Sequence, residues 1–245
     1  MFQFTSTGRF ENHSERKVRA VRPPADDPNA VNYGDVLDAV LSEIESRKWK
    51  VLEKRFALYL GDKVMAAGFE LQIPGLRPKG LGVWLGITVG QTGRFGGLTF
   101  YAGCVDKKTG IGHVLGKVRT GRRDAETAPV SVIAQYLDEW LTKAQQAESK
   151  VEQMKASKLS DVRYAALLLA AFRHKAQTTR MAWKWGSFID DFYRTSGDRT
   201  LWGLMLAVAH GVSKAHPAKQ MEMLLAMRHV VKAELRRLKE AKSGA

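Results

Sequence analysis

The 245-residue chain reads as an α+β protein. Three observations predict this. Strand-like segments crowd between about residues 51 and 118, no helical pattern interrupts them, and from about Ala128 the periodicity turns helical and stays so. The expected architecture is an N-terminal helix, an antiparallel β-meander of four to five strands, then a C-terminal helical half.

Each element has a local reason. Val36, Leu37, Val40, Leu41 and Ile44 recur at helical spacing and predict a first helix from about Tyr33 to Arg47, with Asp35 and Asp38 near its positive N-terminal end. RFALYLG, KVMAAGFELQI, GLGVWLGITVG and GLTFYAGCV set β-branched and aromatic residues between Gly, Pro and Asp breaks. A fifth short strand is expected over Gly112 to Val118. Strands so closely spaced, with no helix between them, pair mostly antiparallel. VSVIAQYLDEWLTKAQQAESKVEQM then reads as one long amphipathic helix, and SDVRYAALLLAAFRHK as a helix capped by Ser160. WKWGSFIDDFYR is followed, after a Ser196-Gly197 break, by DRTLWGLMLAVAHGVSKA and a last helix with a basic tail. The expected organisation is a flexible basic arm over 1–32, an α+β core over 33–126 and a helical region over 127–245.

Hydrophobic and charged fractions of 44% and 26% are ordinary, but a net charge of +14 is not, and it favours a polyanionic partner. The one cysteine, Cys104, excludes an intrachain disulfide and a multi-cysteine metal site, as suits a reducing cytoplasm. The first residues, MFQFTSTGRFENHSERK, hold no apolar stretch of signal-peptide length, and no uninterrupted 18-residue apolar run occurs. A cytoplasmic protein without membrane contact is expected.

The charge is concentrated. Residues 51–123 carry twelve Lys and Arg against four Asp and Glu, a net +8. Several cations fall in glycine-flanked connections: Arg77 and Lys79 in PGLRPKG, Arg94 in QTGRFGG, Lys107 and Lys108 in DKKTG. Lys117, Arg119, Arg122 and Arg123 close the region. Cations at loop tips and strand ends reach phosphates, and glycines let the backbone approach. Among the interleaved aromatics Trp84, Phe95, Phe100 and Tyr101, Phe95 sits at an expected hairpin tip and is the best candidate to stack on a base; Trp84 and Phe100 suit a core.

Other chemistry finds less support. GxGxxG and GxxxxGK[ST] loops are absent, and the six histidines form no HExxH pattern, so no cofactor and no metal are expected. Asp190 and Asp191 point about 100° apart on a helix and make a poor carboxylate pair. A two-metal nuclease needs converging carboxylates; Asp62, Glu70 and Asp106 are the acidic residues in the basic region, and nothing in sequence converges them. Cys104 lies in an apolar strand and reads as a small core residue.

TLWGLMLAVAHGVSKA resembles the C-terminal signature of a phage- and plasmid-encoded family of uncharacterised proteins, a Thr-x-Trp-Gly and a small apolar helix. The match falls on Thr200, Trp202 and Gly203, with Ala207 and Val208 in the helix. FELQIPGL…GVWLGITVGQTGRFGGLTFYAGCV resembles that family's central β segment, with Cys104 near its end, and Gly121 to Asp124 its basic junction; together the resemblance spans about 33–215. The family's Asn-Ser-x-Asp-Gly-Ser segment appears here only as GITVGQTGRFGG, and its Cys-x-Asn-Gly is replaced by Cys104-Val105-Asp106-Lys107. The element order also resembles single-strand annealing proteins of the Red-beta and Erf kind, an architectural analogy. It implies single-stranded DNA bound along an oligomeric groove without a cofactor, hence a homo-oligomer. The leading expectation is therefore a phage or plasmid DNA-binding protein that holds single strands through the basic β region and promotes annealing. A second reading is a protein-binding factor that inhibits a host nuclease or defence complex through the aromatic-rich segment with Trp183, Trp185, Phe188, Phe192 and Tyr193. The third is a metal-dependent nuclease.

Overall fold

The computed structural model describes residues 13–25, 30–76, 80–91, 97–108, 112–119, 132–173, 179–212 and 217–243. In chain order the elements are α1 (Glu15–Arg19), α2 (Tyr33–Ser46), β1 (Lys50–Tyr59), β2 (Val64–Gln72), β3 (Leu81–Gly90), β4 (Thr99–Asp106) and β5 (Gly112–Arg119). Helices follow: α3 (Ile133–Gln145), α4 (Ala147–Ala156), α5 (Asp161–Arg173), α6 (Thr179–Ser196), α7 (Leu201–Val212) and α8 (Pro217–Ser243). The α+β expectation is what the chain forms. The five strands lie in sequence order in one sheet, and β1 to β4 pair antiparallel.

Period-two alternation gives the sheet one fully apolar face. Phe56 and Leu58, Met65, Ala67 and Phe69, Val83, Leu85 and Ile87, and Phe100 and Ala102 point to one core. α2 covers it with Tyr33, Val36, Leu37, Val40 and Ile44, and α3 with Ile133, Leu137 and Trp140. The Trp140 indole N–H donates to the carbonyl of Tyr101 at 3.1 Å, so the largest core side chain leaves no buried polar atom unpaired. Full burial of each large side chain contributes about 1.5–3 kcal/mol, and this layer is what holds the sheet unit together.

On the other face Trp84 lies flat across two glycines. Gly68 and Gly86 are cross-strand partners; a Cβ on Gly86 would come within 2.0 Å of the Trp84 ring, and one on Gly68 within 2.8 Å. Trp84 is 6% exposed, so it takes the packing option rather than offering a stacking surface. Phe100, Tyr101 and Cys104 are buried as well.

Three expectations shift. Over 13–25 the loose basic arm is instead docked: Ser14 caps α1, Val18 is fully buried, and the His13 amide donates to the Phe56 carbonyl at 3.0 Å. Arg19 bridges Glu15 and Asp38 at 2.9 and 2.7 Å. One apolar residue per turn suffices to anchor so short a helix. Second, the long helix expected from about 130 breaks at Gln146, although its apolar spacing runs unbroken through Ile133, Leu137, Trp140, Ala144, Ala147, Val151 and Met154. Periodicity cannot show such a break, because each half keeps the same stripe while serving a different core. Third, the chain divides there into two compact units, so α3 belongs with the sheet rather than with the helical region expected from residue 127.

The helical unit, α4 to α8, is organised around α7. Leu201 to Ala209 are buried without interruption, which explains a helix apolar all round. Arg163 and Arg237 both pair with Glu234, a carboxylate only 1% exposed. Their hydrogen bonds, Arg237 first and then Arg163, hold its pKa down to about 2.

Candidate nucleic-acid interface

A meander gathers alternate connections at opposite ends of the sheet. At one end lie the start of β1, the end of β2, the start of β3 and the end of β4, as the pairs Lys50–Gln72 and Leu81–Asp106 fix. The β1–β2 turn, the end of β3 and the start of β4 lie at the other.

The first end is built from three local structures. α2 terminates with the Lys48 amide donating to Glu45 and the Trp49 amide to Ile44, the paired bonds of a Schellman motif. That motif places Lys48 at φ +56°, a left-handed position that glycine fills at least cost. β2 ends in Ile73-Pro74-Gly75-Leu76, where the Leu76 amide donates to the Ile73 carbonyl at 3.1 Å. Proline followed by glycine at φ +77° makes this a type II turn. The Lys107 amide donates to the Gly80 carbonyl at 3.0 Å, tying the β4 end to the β2–β3 connection. Lys48, Lys50, Lys107 and Lys108 are all exposed here, and none has an ion-pair partner among the described residues.

Between these structures and α3 opens a cavity of about 300 Å³. Arg47, Trp49, the 73–76 turn, Leu141 and Gln145 line it. Arg47 donates to Asp138 at 2.5 Å, to Glu43 at 3.4 Å and to the Ala134 carbonyl at 3.0 Å, and its guanidinium lies 5.4 Å from the Trp49 ring centre. Asp138 first, then Glu43, raises the pKa of Arg47. Trp49 in turn packs on Trp140, with ring centres 5.5 Å apart.

The opposite end is tied to the N-terminal segment by a buried amide. Gln91 is 5% exposed; its side-chain N–H donates to the Arg22 carbonyl at 2.9 Å, its backbone N–H to Lys63, and its carbonyl accepts from Val31 at 2.7 Å. The Tyr33 hydroxyl donates to the Asp62 carbonyl at 3.0 Å. The N-terminal segment thus braces this end.

Of the cations singled out from sequence, Lys107 and Lys108 lie exposed at the open end. Lys117 and Arg119 fall on β5, their side chains outside the described residues. Arg77, Lys79, Arg94, Phe95, Arg122 and Arg123 lie outside the described residues altogether. Sequence reasoning passed over Arg47, Lys48, Trp49 and Lys50. The signal was present as an aromatic set among three cations, RKWK, but it straddles a helix end and a strand start.

Elsewhere, among the described residues no three His, Cys, Asp or Glu side chains gather as a metal would require, and Asp190 is paired with Arg194 at 2.8 Å. No described helix is long and apolar enough to cross a membrane. In the aromatic-rich segment Tyr193 is fully buried and stacked on Tyr164, Phe192 stacks on His210, and Phe188 is 45% exposed; the side chains of Trp183 and Trp185 lie outside the described residues. The Thr-x-Trp-Gly residues have architectural work. The Thr200 hydroxyl caps α7 by accepting from the Gly203 amide at 3.1 Å, Trp202 is 2% exposed, and a Cβ on Gly203 would fall 2.0 Å from the Asp198 carbonyl. No family model, curated protein or solved structure matches this chain. The functional reading therefore rests on the chain's own residues.

Proposed function

We propose that this is a nucleic-acid-binding protein that grips the phosphate backbone of single-stranded DNA at the open end of its sheet. The observation that carries the reading is the set of exposed lysines there, Lys48, Lys50, Lys107 and Lys108, in and beside a stretch of net charge +8. Lysine ammoniums neutralise phosphates and release counterions, an effect independent of sequence. Lys48 presents its ammonium there from a left-handed position, which costs a residue other than glycine about 1 kcal/mol or more. Oligomeric binding and annealing of complementary strands, in a phage or plasmid setting, is the version that the architectural resemblance favours.

Salt-titrated binding tests it. If four lysines neutralise four phosphates, log K falls with log salt at a slope of about −3 for a single strand. Equal affinity for a peptide nucleic acid of the same sequence, whose backbone is neutral, sinks the reading.

A second reading, a protein-contact module, draws on a different surface. On α5, Val162, Ala165, Ala166, Leu169 and Ala170 share one face at helical spacing, and all are exposed, Val162 at 82% and Leu169 at 49%. A Leu169→Glu exchange that lowers the oligomeric mass, or releases a stoichiometric partner from nuclease-treated host lysate, favours this reading.

A further inference from the structure

The cavity beside Trp49 has features that phosphate binding does not explain. Its cation, Arg47, is committed to Asp138, Glu43 and a backbone carbonyl, so two carboxylates face one guanidinium and the local charge does not attract an anion. What Arg47 contributes is a fixed plane beside an indole. The remaining wall is apolar, from Trp49, the 73–76 turn and Leu141, and Gln145 stands one helical turn from Leu141 on the same face of α3. The Gln145 amide is exposed and makes no hydrogen bond among the described residues, leaving a donor and an acceptor at the rim. A volume of about 300 Å³ stands at the small end of ligand pockets.

A flat, neutral group with a polar edge fits this chemistry, and an unpaired nucleobase is such a group. We propose that the cavity is a pocket for one nucleobase of a strand whose phosphates pass over Lys48, Lys50, Lys107 and Lys108. The proposal rests on the nucleic-acid reading above and adds to it a base contact. The base slides between the 73–76 turn and Leu141, stacks against the Arg47 guanidinium plane, which the buried Trp49 backs, and offers its edge to Gln145. The lysines at the same end of the sheet choose a nucleic acid over an apolar peptide as occupant, because they complement phosphates and would leave a peptide's apolar chain without a charge partner. Such a pocket selects single strands, since a paired base has neither face nor edge free to enter.

The test uses the full chain with two labelled strands of equal length and charge, oligo-dT and an all-abasic oligonucleotide, compared by fluorescence anisotropy at fixed salt. Wild type should prefer dT by roughly five- to a hundredfold, the range of one stacked base. Leu141→Trp fills the cavity and should erase that preference while leaving affinity for the abasic strand unchanged. Gln145→Leu, on an exposed position that tolerates exchange, should reduce the preference several-fold and keeps the test informative if the first variant folds poorly. Photo-crosslinking with 4-thiothymidine should label peptides holding Trp49, Leu141 or Gln145. Equal affinity for the two strands with a steep salt dependence overturns the pocket and leaves the phosphate grip standing. Absence of binding to either strand overturns the grip itself. A dT preference that survives both exchanges, with crosslinks elsewhere, overturns the assignment of this cavity. So does displacement of the strand by an apolar peptide such as acetyl-Leu-Leu-Leu-amide that binds more tightly, which makes the cavity a peptide site.

Discussion

The two ends of the sheet are made by the same chain reversals and serve different purposes. One end is sealed: Gln91, almost wholly buried, ties the β3 end to Arg22, Val31 and Lys63, and Tyr33 reaches over to Asp62. The other stays open, with a mostly apolar cavity and lysines that have no described acid partner. The sealed end keeps its hydrogen-bonding groups for itself. The open end presents charge; left-handed residues other than glycine stand at both ends, Lys48 at one and Leu60 and Asp62 at the other. Position in the sheet does not separate them; what does is whether a buried amide ties the strand end to the N-terminal segment.

That contrast can be broken by exchanges whose effects fall on opposite properties. The largest is the double reversal Lys107→Glu with Lys108→Glu. It should weaken single-strand binding roughly ten- to a hundredfold at low salt, and flatten the salt dependence. Stability in urea should move by less than about 0.5 kcal/mol, as for exposed positions generally. An unchanged affinity would remove the open end from the interface.

At the sealed end the expectation reverses. Gln91→Leu removes the donor that reaches the Arg22 carbonyl and should cost about 0.5–1.5 kcal/mol of stability in denaturant unfolding, with affinity unchanged while the protein is folded. If binding falls in step with the open-end variants, the two ends are not separate in function.

The helical unit supplies a control distant in chemistry. Glu234 is held at a pKa of about 2, below the ordinary 4.5, so its contribution is complete above about pH 4.5 and is lost as pH falls toward 2. Glu234→Gln should lower stability at neutral pH by about 1–2 kcal/mol, discounted because Arg163 is partly solvated. It should also flatten the acid limb of a pH-unfolding profile. Binding at pH 7 should stay as in wild type; a matching loss of affinity would place the interface in the helical unit.

The smallest effect is the most discriminating. Lys48→Gly relieves the left-handed strain and should raise stability by about 1 kcal/mol while weakening strand binding a few-fold. A variant both less stable and equally competent would show that Lys48 is held by packing and not by function.

The legibility of these regions in sequence was uneven. β1 to β4, α2 and the Ser160 cap were readable because alternation, helical spacing and a capping hydroxyl are local: Ser160 indeed accepts from the Arg163 amide at 3.2 Å. The glycines of β2 and β3 were readable as strand residues but not as the bed for Trp84, since Gly68 and Gly86 meet only across the ladder. The cavity was the least legible. Arg47 and Trp49, the 73–76 turn, and Leu141 with Gln145 come from three stretches far apart in the chain, and none carries a motif by itself.

By itself the sequence determined the strand-then-helix order, the antiparallel pairing of neighbours and the accumulation of positive charge over 51–123, because each follows from local patterning or from counting. Tertiary structure alone decided that Trp84 is core, that α3 joins the sheet, that residues 13–25 are anchored, and that one end is sealed while the other is open. Those outcomes depend on which buried groups find partners across long sequence separations. Hydrogen bonds such as Gln91 to Arg22 and close approaches such as Trp84 on Gly86 exist only once the chain has folded back on itself.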